Sequence, residues 1–382
     1  MAKRNRKRGS TRQQRELIRK KRRRKRVLLL TTELVILAVL GVVAFGVFKL
    51  NKLDFKNLNT KNLAVYKDTG PYTNVALFGL DSREGEIEGG VQSDCIMIAS
   101  INNKTNDVKI VSVYRDMLSQ QSDGSYEKAN SAYNMGGPEE AIALLNRNLD
   151  LDIKKYISVN FNALVSVIDA LGGIEVNIET EEEVNQVTSY ASEIIDITGK
   201  DTEGLERTGL QTLNGTQATA YARIRYTEGN DFKRTERQRL VLEKIVQKAQ
   251  KANLITLNRI IDEVLPQVST NFTTKEMMGI AANGMKYKIG KTSGFPFEVA
   301  DTDVVQDHEG SYVVPLNYAD NVSKLHKFLF GKEEYEPSDK VWEINNDINY
   351  LTGQDVDNQD TYTDETYTDE TSVENSENYI VE

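Results

Sequence analysis

Cysteine occurs once in this chain, at position 95, and histidine twice, at 308 and 326. A single thiol excludes internal disulfides, and without a Cys-x-x-Cys pair or clustered imidazoles there is no basis for a zinc centre or a histidine triad. Cys95 lies in an apolar run and reads as a small buried hydrophobe. Lysine and arginine are absent from Thr352 to the end, where ten acids accumulate and TYTDE occurs twice, at 361–365 and 366–370. Such a segment has too little apolar surface to fold alone, so 352–382 is expected to be a disordered, solvated acidic tail. Long hydrophobic runs are also lacking, with one exception.

That exception is VLLLTTELVILAVLGVVAFGVF, residues 27–48. As a helix at ~1.5 Å per residue it extends roughly 33 Å, enough to cross a bilayer core. Its one charge, Glu33, costs about 3 kcal/mol at a membrane centre but lies near the basic end, within reach of headgroups, Lys25 or Arg26. A cleaved signal peptide fits less well, because the run is long and no A-x-A site precedes Lys49. Residues 1–26 carry fifteen Lys/Arg and one acid, leaving 33 bases and 56 acids in the rest of the chain, a balance of −23 within an overall −9. Directly before an apolar helix, such an arm is a topology signal that also attracts anionic headgroups, and no nucleic-acid partner is expected. The arm is therefore placed in the cytoplasm and residues 49–382 outside. A domain of this size exported without disulfides points to a bacterium that does not depend on oxidative folding. Residues 49–72 read as a polar stalk, and 73–351 as the folded domain.

Strand signals fall at 74–80, 95–102, 107–113 and 219–226, and helical ones at 138–149, 162–171 and 233–252. NNKTND at 102–107 is a turn signal, which makes 95–113 a hairpin. Interleaved strands and helices predict an α/β sandwich with a mostly buried sheet. Asp81 follows the first strand, Asp94 opens the second and Arg115 follows the third. If strand 74–80 runs parallel to 107–113, these residues meet at one sheet edge, where open α/β sheets bind ligands.

A second concentration of charge is YARIRYTEGNDFKRTERQR, residues 221–239, with six Lys/Arg against three acids. Read as a strand, TAYARIRY puts Arg223 and Arg225 on one face, about 6.5 Å apart, where they repel by roughly 2.5 kcal/mol at an effective dielectric near 20. Such a pair needs carboxylates, solvent or an anion. Arg234, Arg237 and Gln238 follow at i, i+3, i+4 on one face of a helix start, a position that favours anions. A salt-bridge net with Glu228, Asp231 and Glu236 would account for this stretch alone. Together with Asp81, Asp94 and Arg115, a magnesium-bound phosphate or pyrophosphate accounts for more of the charges. GMKYKIGKTSG, 284–294, has five residues between Gly284 and Gly290 where a phosphate-binding P-loop has four, and is set aside.

NVALFGLDSR, QSDCIMIASIN, VKIVSVYRDM, KANSAYNMGG, YISVNFNALVSVIDALGGIEV and YARIRYTEGNDFKRTERQR occur in an order that resembles the LytR–CpsA–Psr (LCP) family of the Gram-positive envelope, over about 72–345 and the N-terminal anchor. The resemblance implies an α/β/α sandwich with a central mixed β-sheet and an apolar lipid pocket, preceded by a single transmembrane helix. It implies a phosphotransferase that moves an anionic glycopolymer, wall teichoic acid or capsule, from polyprenyl pyrophosphate to peptidoglycan. On that pattern Asp81 and Asp94 hold Mg²⁺, and Arg115, Arg223 and Arg225 clamp the phosphates. Arg234, Arg237 and Gln238 complete a cationic wall that Lys128 reaches. Many members have arginine where this chain has Gln92, and Arg83 is a substitute for that charge. The stripes Leu144/Leu145, Leu164/Val165/Ile168 and Val241/Ile245 are candidates for the lipid channel or ordinary core. Asp94, Asp81 and Asp116 remain alternatives for the general base. A lipid-pyrophosphate hydrolase and a non-catalytic envelope sensor are the competing functions.

Overall fold

The computed structural model describes residues 54–82, 90–225, 230–354 and 362–363. The basic arm, the apolar run 27–48, Arg83 and most of the acidic tail lie outside them. No helix among the described residues is long and apolar enough to cross a membrane.

The strands are β1 (Asp54–Phe55), β2 (Tyr72–Leu80), β3 (Ser93–Asn102), β4 (Asp107–Val113), β5 (Leu118–Gln120), β6 (Tyr126–Lys128), β7 (Lys155–Asn160), β8 (Ile174–Ile178), β9 (Gly209–Leu213), β10 (Val268–Thr270) and β11 (Lys288–Phe295). Seven form one mixed sheet in the order β1-β10-β7-β2-β3-β4-β11. The hairpin expected over 95–113 is β3–β4. Its turn forms because the Asn102 side chain accepts from the amides of Lys104 and Thr105, and Asn106 takes the left-handed conformation at φ 63°. β2 and β4 flank β3 and both run antiparallel to it, so they share one direction. β7 is parallel to β2, and β11 to β4. Four strands therefore present their carboxyl ends at one edge.

The helices are α1 (Ser131–Leu149), α2 (Phe161–Ala170), α3 (Glu181–Thr198), α4 (Gly215–Tyr221), α5 (Asn230–Lys251), α6 (Leu254–Val264), α7 (Thr274–Asn283), α8 (Tyr318–Phe330) and α9 (Asp339–Thr352). One sheet face buries Phe78, Leu80, Ile96, Ile98, Val111 and Val113 against α1, α8 and α9, forming the main core. The opposite face is covered by α2, α4 and α5, whose own apolar cluster centres on Val165, Ile168, Ala218, Ile224 and Val241. The α/β/α sandwich follows from these two apolar faces, each of which needs a layer to exclude water.

Two expectations are corrected. Residues 54–72 are part of the fold rather than a stalk: β1 pairs with β10, Leu63 is fully buried in the main core, and Thr69 bonds Asp152. Residues 219–226 do not form a strand. Asn214 and Gln217 make a capping box, Asn214 Oδ1 accepting from the Gln217 amide while Gln217 Oε1 accepts from the Asn214 amide, and this starts α4. The helix buries Ala218, Ala220 and Tyr221, and a turn follows at Ala222–Arg223. At the far end, Gln354 is buried and Tyr362–Thr363 pair antiparallel with Glu298–Val299.

Candidate active site

The carboxyl edge of the sheet opens into a cavity of about 460 Å³ between the sheet and the layer of α2, α4 and α5. Strand alternation builds its floor. Phe78, Leu80 and Tyr156 pack into the main core, whereas Leu77, Gly79, Ile157 and Val159 are half-buried and line the cavity. Cys95 and Met97 of β3 continue the floor, and Leu164, Val241, Leu242 and Ile245 form the roof. Gly79 faces Cys95 across β2–β3, and a Cβ on Gly79 would stand 2.9 Å from that of Cys95. Burial pushes the Cys95 thiol up to about 12, so it serves as apolar wall rather than nucleophile.

The mouth is charged. Asp81, Gln92, Asp94, Arg115, Arg223, Arg225, Arg234 and Gln238 line it. Asp81 follows β2, Asp94 lies at the start of β3 and Arg115 follows β4, the convergence expected from the hairpin. Arg115 donates to Asp94 at 2.6 Å and to Asp116 at 3.2 Å. Burial opposes its charge, but these two carboxylates outweigh it and raise the guanidinium above its usual range. Arg223 lies 3.1 Å from Glu193 and 3.9 Å from Asp81, with its guanidinium 4.9 Å from the Phe161 ring centre and 5.6 Å from that of Tyr190. Arg225 and Arg234 converge on Asp231, at 3.8 and 3.1 Å. Asp231 in turn hydrogen-bonds Asp116. Burial and that bond push the Asp231 carboxyl up. Burial also pushes Asp116 upward, but the bond from Asp231 together with Arg115 and Lys128 prevails and keeps it low. The two shifts are opposed, so a proton taken up by the pair goes to Asp231 first.

Three atoms at this mouth lack hydrogen-bond partners among the described residues. Arg234 is 3% exposed, yet its Nε and Nη1 make no hydrogen bond among the described residues, since the short approach of Nη1 to Asp231 is poorly angled. Burial, with the charges of Arg115 and Arg225, lowers its guanidinium to about 10. Asp81 Oδ1 is likewise buried without a hydrogen bond. A buried forked donor and a buried carboxylate oxygen left open at one rim suit an anion and a cation respectively. No group of three or more acidic, histidine or cysteine ligands that could hold a metal occurs among the described residues. A hard cation at Asp81 and Asp94 would therefore take its other oxygens from water and a bound phosphate, which matches how Mg²⁺ is held beside phosphates.

Six expected residues are placed elsewhere. Arg237 points away from the cavity and bonds Glu183 at 2.7 Å in a buried pair, because the second residue of the helical triad faces α3. Lys128 pairs with Asp116 at 3.4 Å and lies 5.0 Å from the Tyr312 ring centre, behind the mouth. Leu144 and Leu145 belong to the main core on the other sheet face, and Val165 and Ile168 to the helix-layer core. The sequence reading missed Glu193, Tyr190, Phe161 and Asp231 as supports of the arginines. Asp231 was legible only as an acid in a salt-bridge net, and the other three carry no local signal. His308 and His326 each bond a backbone carbonyl, of Tyr126 and Leu149.

The LytR_cpsA_psr family profile matches residues 48–327. A polyisoprenyl-teichoic acid–peptidoglycan teichoic acid transferase TagU of Enterococcus faecalis is 32% identical over 63% of this chain and 75% of its own length. The TagV transferase of the same activity in Bacillus subtilis is 27% identical over 80% of this chain and 78% of its own length. A solved TagT with bound octaprenyl pyrophosphate lipid shares the fold at a TM-score of 0.50 and 19% identity, covering 78% of this chain and 100% of that one. With most of its length matched in family order, the chain belongs to the LytR–CpsA–Psr family.

Proposed function

We propose that this chain transfers an anionic glycopolymer, of wall teichoic acid or capsule type, from polyprenyl pyrophosphate to peptidoglycan. The observation that carries the proposal is the junction of an arginine-lined mouth with an apolar cavity in which half-buried Leu77, Ile157, Val159, Leu164 and Leu242 face open space. A diphosphate with a hydrocarbon tail is complementary to both parts at once. The named activity of the relatives from Enterococcus and Bacillus and the lipid seated in the TagT structure support the same substrate class.

The reaction joins an acceptor sugar hydroxyl to the polymer-side phosphorus. The bond from that phosphorus to the bridging oxygen breaks, polyprenyl phosphate departs, and the hydroxyl proton is released. Arg115, Arg223 and Arg225 are pre-set by their carboxylate and aromatic contacts, so they meet charge on the phosphoryl oxygens without reorganising. Arg234 supplies open donors to the leaving phosphate. Asp81 and Asp94 are the residues to hold Mg²⁺, which when bound would neutralise further phosphate charge. The apolar run 27–48 holds the domain at the outer membrane face, with the N-terminus in the cytoplasm.

The test uses labelled lipid-linked donor with a peptidoglycan oligomer. Polymer joined to glycan is the expected product. Free polymer phosphate without an adduct would identify a hydrolase instead. Intact donor under conditions where a known family transferase turns over would leave only a binding role.

A further inference from the structure

The region joining α5 to β11 differs in charge from the rest of the chain. Residues 244–291 contain eight Lys/Arg and three acids, although the chain beyond residue 26 is strongly acidic. The same region exposes apolar side chains: Leu254 is 83% exposed, Ile255 78% and Met285 82%. α6 is amphipathic in sequence yet has no buried residue. Folding brings the 284–287 segment against the end of α5, four residues before Leu254, since Gln250 donates to the carbonyls of Gly284 and Tyr287 on either side of Met285. Lys251, Lys286 and Lys288 flank these apolar residues in sequence, Arg259, Lys275 and Lys291 lie in the same region, and all six are exposed.

We infer that this patch, formed by α6 and the 284–291 segment, seats the domain on an anionic bilayer surface. Exposed apolar tips ringed by cations match an interface of acyl chains under anionic headgroups, as an interfacial helix does. One further observation selects the bilayer over a protein partner. The patch is continuous with the cavity, because Leu242 and Ile245 of the roof lie on α5 one to three turns before Lys251, and α6 packs against α2, which supplies Leu164. The inference rests on the membrane-anchored reading above and names the surface that reading leaves unassigned.

The test uses the full chain reconstituted in vesicles of phosphatidylcholine alone or with phosphatidylglycerol. A fluorophore is attached at Ile255→Cys, Met285→Cys or, as a remote control on α9, Tyr350→Cys, with the unsubstituted protein giving the background from Cys95. Nitroxide lipids should quench the probes at 255 and 285 more than the one at 350, and more strongly with phosphatidylglycerol. Each of Lys251→Gln, Lys286→Gln and Lys288→Gln should lower the ratio of docked to undocked protein roughly fivefold. Equal quenching at all three positions, or none at 255 and 285, overturns the inference. So does probe burial by self-association without lipid quenching. Transfer is assayed on the same vesicles, so that transfer without quenching refutes the docking alone, and quenching without transfer refutes the proposed activity alone.

Discussion

Arg237 of α5 donates to Glu183 of α3 at 2.7 Å, with each side chain only 7% exposed. Glu183 also accepts from the Glu179 amide, and Arg237 donates to the Ile224 carbonyl, so the pair ties three segments together. Truncating one member of such a pair strands the other charge. Arg237→Ala is expected to cost about 3–5 kcal/mol, read from urea midpoints. Donor binding by the protein that remains folded should be unchanged, and its loss would return Arg237 to the phosphate wall.

Arg234 should behave in the opposite way. Its buried, partly unsatisfied guanidinium opposes folding, so Arg234→Met is expected to leave the melting temperature unchanged or higher. Loss of a charged, desolvated hydrogen bond should weaken binding of a polyprenyl pyrophosphate by roughly 10–100-fold, which titration calorimetry measures. A large drop in stability would show that Arg234 is held for the fold.

Half-buried Leu242 faces the cavity from α5. Leu242→Trp adds bulk into open space rather than packed core, so stability should change by no more than about 1 kcal/mol. Lipid-linked donor should no longer bind, whereas inorganic pyrophosphate should bind as before. Equal loss of both ligands would show damage to the mouth.

Asp81 Oδ1 has no hydrogen bond to lose among the described residues. Chelation is expected to stop transfer and added Mg²⁺ to restore it. Asp81→Asn, which keeps the shape and removes the charge, should raise the Mg²⁺ concentration for half-maximal transfer at least ~10-fold. Unchanged transfer in chelator would remove the metal from the reaction.

His326 supplies a pH test away from the site. Its ring stacks on Tyr335 at 3.6 Å, Nε2 donates to the Leu149 carbonyl, and Nδ1 is buried with no hydrogen-bond partner among the described residues. Burial lowers its pKa from 6.5 to about 4, so between those values the unfolded chain binds a proton that the folded chain does not. Stability is then present above about pH 6.5 and falls as the pH drops toward 4, by about 3 kcal/mol across the window. Urea midpoints at pH 7 and pH 5 should differ in the wild type and converge in His326→Gln. An equal acid loss in both would place the effect on other groups.

The sheet edge was legible because its signals are local. Short apolar runs set β2, β3 and β4, the NNKTND segment set the turn, and a hairpin then brings Asp81, Asp94 and Arg115 to one side. The stretch around Arg223 misled because TAYARIRY alternates like a strand. The Asn214–Gln217 capping box, which was also local, won because it starts a helix that buries Ala218 and Ala220. Both arginines still reach the mouth, from a turn instead of a strand. Arg234, Arg237 and Gln238 share a helical spacing, but that spacing does not say which neighbour each meets.

By itself the sequence determined the order of elements, the charged strand ends, the basic arm before an apolar run and the family motifs, because each is encoded within a few neighbouring residues. Only tertiary structure decided that Arg237 belongs to Glu183, that Arg234 keeps open donors, that residues 54–72 join the core and that one sheet face borders a cavity. Those outcomes depend on which distant segments share a volume, and side-chain contacts across tens or hundreds of residues leave no period in the chain.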